Sequence, residues 1–420
     1  MEKGILDSSM GLNDTVSSER IHISFFGMRN VGKSSIVNAI TNQEVSIVSN
    51  IKGTTTDPVK KTMEILPLGP TTIIDTAGID DENELGEKRI KKTYDILNET
   101  DIAILVVDIM NFFIDGKFFK ENFSSYEKKL LEIFVDKNIP YIIVYNKIDL
   151  MPFFELCDIE KILNDNEILL STINNTNLDE LKNKISKIKN FNEEKKPIVG
   201  DLLDENDLAI LVIPIDESAP KGRLILPQQL VIRDILDSNA TMMISKPSEL
   251  DVMLKKLNAK PKLIITDSQV FKEVEKIIPK NILFTSFSIL MARYRGDLKI
   301  LINGKNAISN LKNNDKILIA EACTHHRQCN DIGTVKIPSW LEKITNKKFN
   351  FIFSSGHTFP ENLDDIKLII HCGGCMITEK EMKNRLSIAK NKNIPIINYG
   401  ILIAFINGIL DRALEPFDKF

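Results

Sequence analysis

Eight residues near the start, Gly27-Met28-Arg29-Asn30-Val31-Gly32-Lys33-Ser34, constrain the fold more than any other part of the chain. They stand between an apolar run at 21–26 and a helical pattern at 33–41. Glycines at the first and sixth positions, followed by Lys-Ser, turn backbone N–H groups inward at a helix N-terminus, which is an anion-binding geometry. Such a loop needs a buried strand before it and a helix after it, so the surrounding chain must be α/β. Apolar runs at 71–74, 102–107, 141–145 and 168–170 supply the other strands of a parallel sheet, and a helical pattern over 178–189 closes the unit. The aromatic-rich stretch 112–126 reads as an ordered loop packed on that unit.

The charged, proline-terminated stretch 191–197 reads as a linker. Beyond it, strands are expected at 208–213, 241–244, 262–265 and 281–285, with a helix at 227–237. This middle block has neither cysteine nor histidine, and its default role is dimerisation. A third block starts at Phe287, with strands expected at 316–320, 349–353, 367–370 and 395–398. The chain therefore divides into three α/β domains, at 1–195, 196–286 and 287–420, with no internal repeat in the sequence. A net charge of −4 and a pI of 5.9 argue against a nucleic-acid partner. No apolar run reaches the roughly 18–20 residues that span a membrane, and the polar N-terminus lacks the core of a signal peptide. The expectation is a cytoplasmic protein without membrane contact.

Two further motifs complete a nucleotide site. Asp75-Thr76-Ala77-Gly78 follows a strand, and Asn146-Lys147-Ile148-Asp149 follows another. Lys33 would reach the β- and γ-phosphates, Ser34 beside Ser35 would ligate Mg²⁺, Asp75 would hold that ion through water, and the Gly78 amide would sense the γ-phosphate. Asp149 selects the base, because a carboxylate accepts two hydrogen bonds from guanine N1–H and N2–H₂ that adenine cannot offer. Asn146 closes on the purine edge, and the Lys147 stem covers the ring. The three motifs in this order read as a GTP site.

Gly53-Thr54-Thr55-Thr56-Asp57 followed by Asp75-Thr76-Ala77-Gly78 resembles the Era/TrmE branch of GTPases. The resemblance implies that Thr55, with Thr54 as the alternative, completes the Mg²⁺ shell. It makes Lys33, Thr55, Asp75 and Gly78 the catalytic set, and Asn30 the holder of an activating K⁺ ion. Ile79 stands where Ras-like proteins carry a water-orienting glutamine, which implies slow intrinsic hydrolysis. Ser171-Thr172 occupies the place of the base-side serine–alanine loop, with threonine replacing alanine.

The chain has five cysteines, and Cys323, Cys329, Cys372 and Cys375 lie close together in the third block. Cys157 stands apart as a packed thiol, and only His22 of the histidines lies outside 325–371. Cys323, His357 and the group His371–Cys375 each follow an expected strand, so three segments bring ligands to one sheet edge. Cys372 and Cys375 in C-x-x-C spacing can grip one metal centre, with Cys323 as a third thiolate. On the residues alone, a [4Fe–4S] cluster with one exchangeable iron, a closed structural zinc site and unligated core thiols all remain open. His325, His326 and His371 are candidates for the fourth ligand or for a supporting donor, Glu321 for an oxygen ligand, and Cys329 for an ordinary thiol.

Cys323-x-His325 followed by His371-Cys372-x-x-Cys375 is similar to the signature of the HydF family of [FeFe]-hydrogenase maturation GTPases, with support from segments 216–224 and 293–298. That resemblance spans the whole chain. It implies a [4Fe–4S] cluster on Cys323, Cys372 and Cys375, and a homodimer. It also implies a carrier role: two radical-SAM maturases build a transient diiron subcluster, which this protein passes to apo-[FeFe]-hydrogenase while GTP switches partner affinity. The rival readings are an Era-like ribosome or tRNA GTPase with a structural zinc domain, and a redox-sensing switch.

Overall fold

The computed structural model describes residues 17–41, 58–76, 93, 95–188, 196–215, 224–322, 331–356, 359–360 and 362–417. The chain forms two compact units, Met1–Glu193 and Glu194–Phe420.

The first unit is built on a six-stranded sheet ordered β2-β3-β1-β4-β7-β8. Its strands are β1 (Ile21–Phe26), β2 (Val59–Ile65), β3 (Gly69–Asp75), β4 (Ile102–Asp108), β7 (Tyr141–Asn146) and β8 (Glu167–Leu170). Central β4, Ile-Ala-Ile-Leu-Val-Val-Asp, is buried on both faces, as a parallel strand under helices must be. The sheet is parallel except at β2, which pairs antiparallel with β3 and was not foreseen. Helix Lys33–Thr41 follows the glycine loop, and helix Leu178–Ser186 ends three residues before the expected 189.

The stretch 112–126 is more than a loop. It holds the hairpin β5 (Phe113–Ile114) and β6 (Lys117–Phe118), and leads into helix Ser125–Asp136 through a capping box of Ser124 and Glu127. Phe112 packs edge-on to Phe123 and Tyr145, with ring centroids 5.0 and 5.1 Å apart. His22 is a buried core histidine, its Nε2 lying 2.9 Å from the Ser17 carbonyl.

The second unit carries two four-stranded, all-parallel sheets. One is β10-β9-β11-β12, from β9 (Leu208–Val212), β10 (Thr241–Ser245), β11 (Leu263–Thr266) and β12 (Leu283–Ser286). The other is β14-β13-β15-β16, from β13 (Lys316–Ala320), β14 (Asn350–Ser354), β15 (Ile366–His371) and β16 (Ile396–Asn398). In both, the first strand returns to one side and then crosses over, so the same topology occurs twice although the sequence shows no repeat. In both, the second strand in chain order lies at an edge with apolar side chains in solvent. Met243 and Ile244 are 37% and 50% exposed on β10, and Ile352 and Phe353 are exposed on β14. One hydrophobic core runs through both sheets, and Phe284, Phe287 and Leu290 belong to it on either side of residue 286.

The chain enters this unit under tight control. Asp234 accepts backbone N–H bonds from Ile198, Val199 and Gly200 at 3.0, 2.7 and 2.7 Å. Lys196 donates to the Arg293 carbonyl at 2.8 Å, while Arg293 pairs with Asp201 and donates to the Ile198 carbonyl. Part of the conspicuous 293–298 segment thus secures the entry strand. Residues 216–223, the other segment singled out, lie outside the described residues. Among the described residues, no helix is long and apolar enough to cross a membrane.

Candidate functional site

β1 delivers Gly27 to the mouth of the phosphate loop. A Cβ there would stand 2.2 Å from the Val106 carbonyl oxygen, so only glycine fits beside β4. Gly32 adopts φ +95°, and a Cβ on it would meet Asn146 Nδ2 at 2.2 Å. That amide donates to the Val31 carbonyl at 2.8 Å, bolting the end of β7 to the loop. Gly32→Ala therefore combines about 1–3 kcal/mol of backbone strain with a lost hydrogen bond of about 1 kcal/mol. GTP affinity should fall roughly 30- to 1,000-fold in a fluorescent-nucleotide titration, with the circular dichroism unchanged.

Lys33 is buried and donates to the Gly27 and Met28 carbonyls at 3.0 and 2.8 Å, which holds its ammonium over the loop. Ser34 donates to Asp75 Oδ2 at 2.5 Å. Asp75 Oδ1 is buried with no hydrogen-bond partner. Burial pushes the Asp75 carboxyl above its ordinary range, although the Ser34 hydrogen bond and the charges of Lys33 and Lys61 oppose this. A hydroxyl beside an orphaned carboxylate oxygen, in a place that resists a bare negative charge, fits a divalent cation. Ser35 and Asn30 are exposed, Asn30 at φ +63°. Thr54, Thr55, Gly78 and Ile79 lie outside the described residues.

On the base side, Lys147 sits at φ +68° and ties its ammonium to Asp108 Oδ2 at 2.6 Å, which extends its stem. Ser171 donates to Asp149 Oδ1 at 2.5 Å and accepts N–H bonds from Ile173 and Asn174 at 3.2 and 3.3 Å. The carboxylate is thereby aimed from below by a loop that is itself closed by the Ser171–Thr176 bridge. Asn146 Oδ1 is buried with no partner and remains available as an acceptor. Sequence reasoning missed Asp108. Its signal was a carboxylate ending the most apolar strand, level with Asn146 across the sheet.

The second site lies where β13 and β15 end side by side. In the order β14-β13-β15-β16 this is the topological switch point, where open α/β sheets bind ligands. The Cys372 amide donates to the Ala320 carbonyl at 3.0 Å, and the Ala322 amide donates to Cys372 Sγ at 3.1 Å. Gly374, at φ +69°, turns the chain so that its own amide lies 3.5 Å from the same sulfur. Burial raises the Cys372 thiol, and burial together with Cys372 raises the Cys375 thiol to about 12.

Two thiols that burial keeps protonated, yet with backbone donors aimed at one sulfur, fit metal ligation, since a bound cation supplies the charge that favours thiolate. Cys323, His325, His326, Cys329 and His357 lie outside the described residues, and no group of three metal-ligating side chains occurs among those described. The structure thus places Cys372 and Cys375 together, next to the segment that leads into Cys323. Cys157 is half-buried on helix Phe153–Glu160 of the other unit.

His371 is fully buried. Its Nδ1 lies 2.8 Å from the Cys372 carbonyl, so that nitrogen carries the hydrogen, and Nε2 accepts from Arg385 Nη1 at 3.0 Å. Burial and the Arg385 charge push this imidazole down to about 3, so it is neutral. Both ring nitrogens are engaged by the protein. Glu321, also buried, accepts from the Tyr399 hydroxyl at 3.4 Å.

Arg385 is 1% exposed and donates from Nη2 to the Gly356 carbonyl at 2.7 Å and to Glu381 Oε1 at 2.6 Å. Its guanidinium also lies over the Phe359 ring. Removing one partner of such a buried pair costs about 3–5 kcal/mol. Sequence reasoning missed this pair too. The available signal was Glu381 and Arg385, four apart, on the same stripe of helix Glu379–Asn391 as buried Met382, Leu386 and Ala389.

Three domain families match the chain. The 50S ribosome-binding GTPase family covers residues 22–147. The Hydrogen maturase F dimerization domain covers 198–296, and the Hydrogen maturase F tetramerization domain covers 299–416. GTPase Der of Mycoplasmopsis pulmonis is 31% identical over 210 residues, 46% of this chain and 46% of its own length. The tRNA modification GTPase MnmE of Acetivibrio thermocellus is 28% identical over 227 residues, 52% of this chain and 46% of its own. MnmE of Legionella pneumophila is 33% identical over 186 residues, 44% and 37% respectively. The chain spans less than half the length of these curated relatives. Among solved structures, Era of Aquifex aeolicus bound to GDP and AlF4⁻ is 19% identical, covering 54% of this chain and 92% of its own at a TM-score of 0.31. The two maturase domain families take in one sheet each of the second unit, β9–β12 and β13–β16.

Proposed function

Because the chain belongs to the hydrogen maturase F family, we propose that it is a GTP-hydrolysing carrier in which a [4Fe–4S] cluster on Cys323, Cys372 and Cys375 anchors a diiron cargo. The observation that carries this reading is the C-x-x-C loop at the switch point of β13 and β15, inside the domain that matches the maturase family. The GTPase half does not choose between this role and an RNA-directed one, since it also resembles ribosome- and tRNA-related enzymes. The second unit favours the maturase.

Within the nucleotide site, Lys33 neutralises phosphate charge, Ser34 and Asp75 hold Mg²⁺, and Asn146 and Asp149 read guanine. Asn30 would hold K⁺ beside the phosphates, supplying charge that an arginine finger otherwise brings. With Ile79 in place of a water-orienting glutamine, the intrinsic rate would be slow. At the metal site, three thiolates supply three ligands and leave one iron open to exchange. The cargo would come from two radical-SAM maturases and leave to apo-[FeFe]-hydrogenase, with GTP hydrolysis changing the affinity for these partners.

Iron, sulfide and zinc analysis with EPR on anaerobically purified protein tests the reading. About four irons per chain with a reduced-cluster signal are expected, together with transfer of activity to apo-hydrogenase. Stoichiometric zinc without iron, even after reconstitution, would return the chain to the RNA-directed class.

The exposed β10 edge, within the dimerization domain, is the proposed contact between two copies. A lysine placed there blunts edge-to-edge pairing. Ile244→Lys should shift the particle from dimer to monomer in analytical ultracentrifugation while leaving GTP hydrolysis in place.

A further inference from the structure

We propose that Arg385 is the positioning residue of the cluster site, a buried cation that orients the Cys372 loop and whose balance with Glu381 sets the charge felt there. The inference rests on the cluster reading of Cys372 and Cys375.

Arg385 is 1% exposed, and its Nη1 and Nη2 find partners on three separate segments while Nε is buried without one among the described residues. Nη1 donates to His371 at the end of β15. Nη2 donates to the Gly356 carbonyl, just beyond β14 and one residue before His357. Nη2 also meets Glu381, on the helix that follows the cysteine loop. Each of these segments borders the edge at which the cysteines lie.

The bond to His371 has a directional consequence. An arginine only donates, so His371 Nε2 must accept, which leaves the ring hydrogen on Nδ1. That hydrogen points at the Cys372 carbonyl oxygen, which lies 2.8 Å from Nδ1. Arg385 therefore fixes the peptide group of a ligand residue through one intermediary, as partners behind metal sites do elsewhere. Tyrosine, lysine or glutamine at 385 could not make the same three-way fork.

The electrostatics give the test its sign. Arg385 and Glu381 are an ion pair about as buried as groups can be, with side chains 1% and 7% exposed. Within the pair the carboxylate offsets the guanidinium charge. Removing the carboxylate leaves a cation, which favours the reduced, more negative cluster. Removing the guanidinium takes away that cation and its donors, which disfavours it. A strut with no electrostatic role would move both variants the same way, through loosening alone.

The experiment uses the full chain reconstituted anaerobically with iron and sulfide, read as a midpoint potential by EPR-monitored titration. Glu381→Gln should lie above wild type, Arg385→Gln below it, and Arg385→Lys nearer to wild type than Arg385→Gln. Any other order overturns the proposal. If Arg385→Gln fails to fold, histidine ¹⁵N NMR of the metal-free wild type decides instead. His371 as the Nδ1–H tautomer supports the proposal, and Nε2–H overturns it. Wild-type protein that takes up no iron would defeat the cluster reading, and the NMR result would still decide whether Arg385 orients His371.

Discussion

Asp149→Asn should turn this GTP-binding chain into one that prefers xanthosine triphosphate. The Asp149 carboxylate has one oxygen held by the Ser171 hydroxyl at 2.5 Å, so its orientation survives a change of the other oxygen to an amide. Guanine offers two donors, N1–H and N2–H₂, and asparagine can accept only one of them while its own N–H₂ faces the other. A site built for hydrogen bonds that then go unmade discriminates by about 10⁴-fold. Xanthine carries a carbonyl where guanine carries the amine, so the asparagine amide donates to it and the lost affinity returns. Titration with fluorescent GTP and XTP analogues measures the switch directly. Unchanged GTP binding would mean that Asp149 does not read the base.

The other large effect belongs to the metal site. Cys372→Ala should lower iron to background on anaerobic reconstitution, while GTP binding in the separate first unit stays at the wild-type level. Changing a partner behind a metal ligand costs 10–100-fold in affinity, and losing the ligand itself should cost more. Cys372 is the sulfur at which the Ala322 and Gly374 amides are aimed, so its replacement also leaves those donors without their acceptor. Cys157→Ala and Cys329→Ala serve as controls and should retain iron. Iron retained by Cys372→Ala would remove this loop from the site.

What could be read in the sequence was local. β1, the glycine loop and helix Lys33–Thr41 are one continuous motif, and the chemistry of the loop dictates both neighbours. β2 escaped notice because its residues, Val-Lys-Lys-Thr-Met-Glu-Ile, lie largely exposed at an edge and lack the apolar run of a central strand. The C-x-x-C pair was equally visible, being set by spacing and a glycine turn.

The roles of His371 and Arg385 were not visible, because they depend on which segments meet. A histidine beside a cysteine motif reads as a ligand candidate, and only the buried fork of Arg385, arriving from a helix beyond the loop, shows both ring nitrogens occupied. The shared core of the second unit had the same obstacle. Each sheet announces its own strands, but nothing in either predicts that Phe284 and Leu290 will lie in one continuous interior.

The repeated topology of the second unit also bears on how assembly ends. A strand edge that pairs with its own copy about a two-fold axis is consumed by that pairing, whereas a head-to-tail contact always leaves a fresh end. β10 and β14 are two separate apolar edges on one chain. If one is used, growth stops at two copies. If both are used and their axes cross at right angles, four copies close into a particle with no edge left over. If the axes fail to meet, the same two edges yield a filament. Whether the two symmetry axes meet, and at what angle, rather than the strength of either contact, then decides between a closed particle and a fibre.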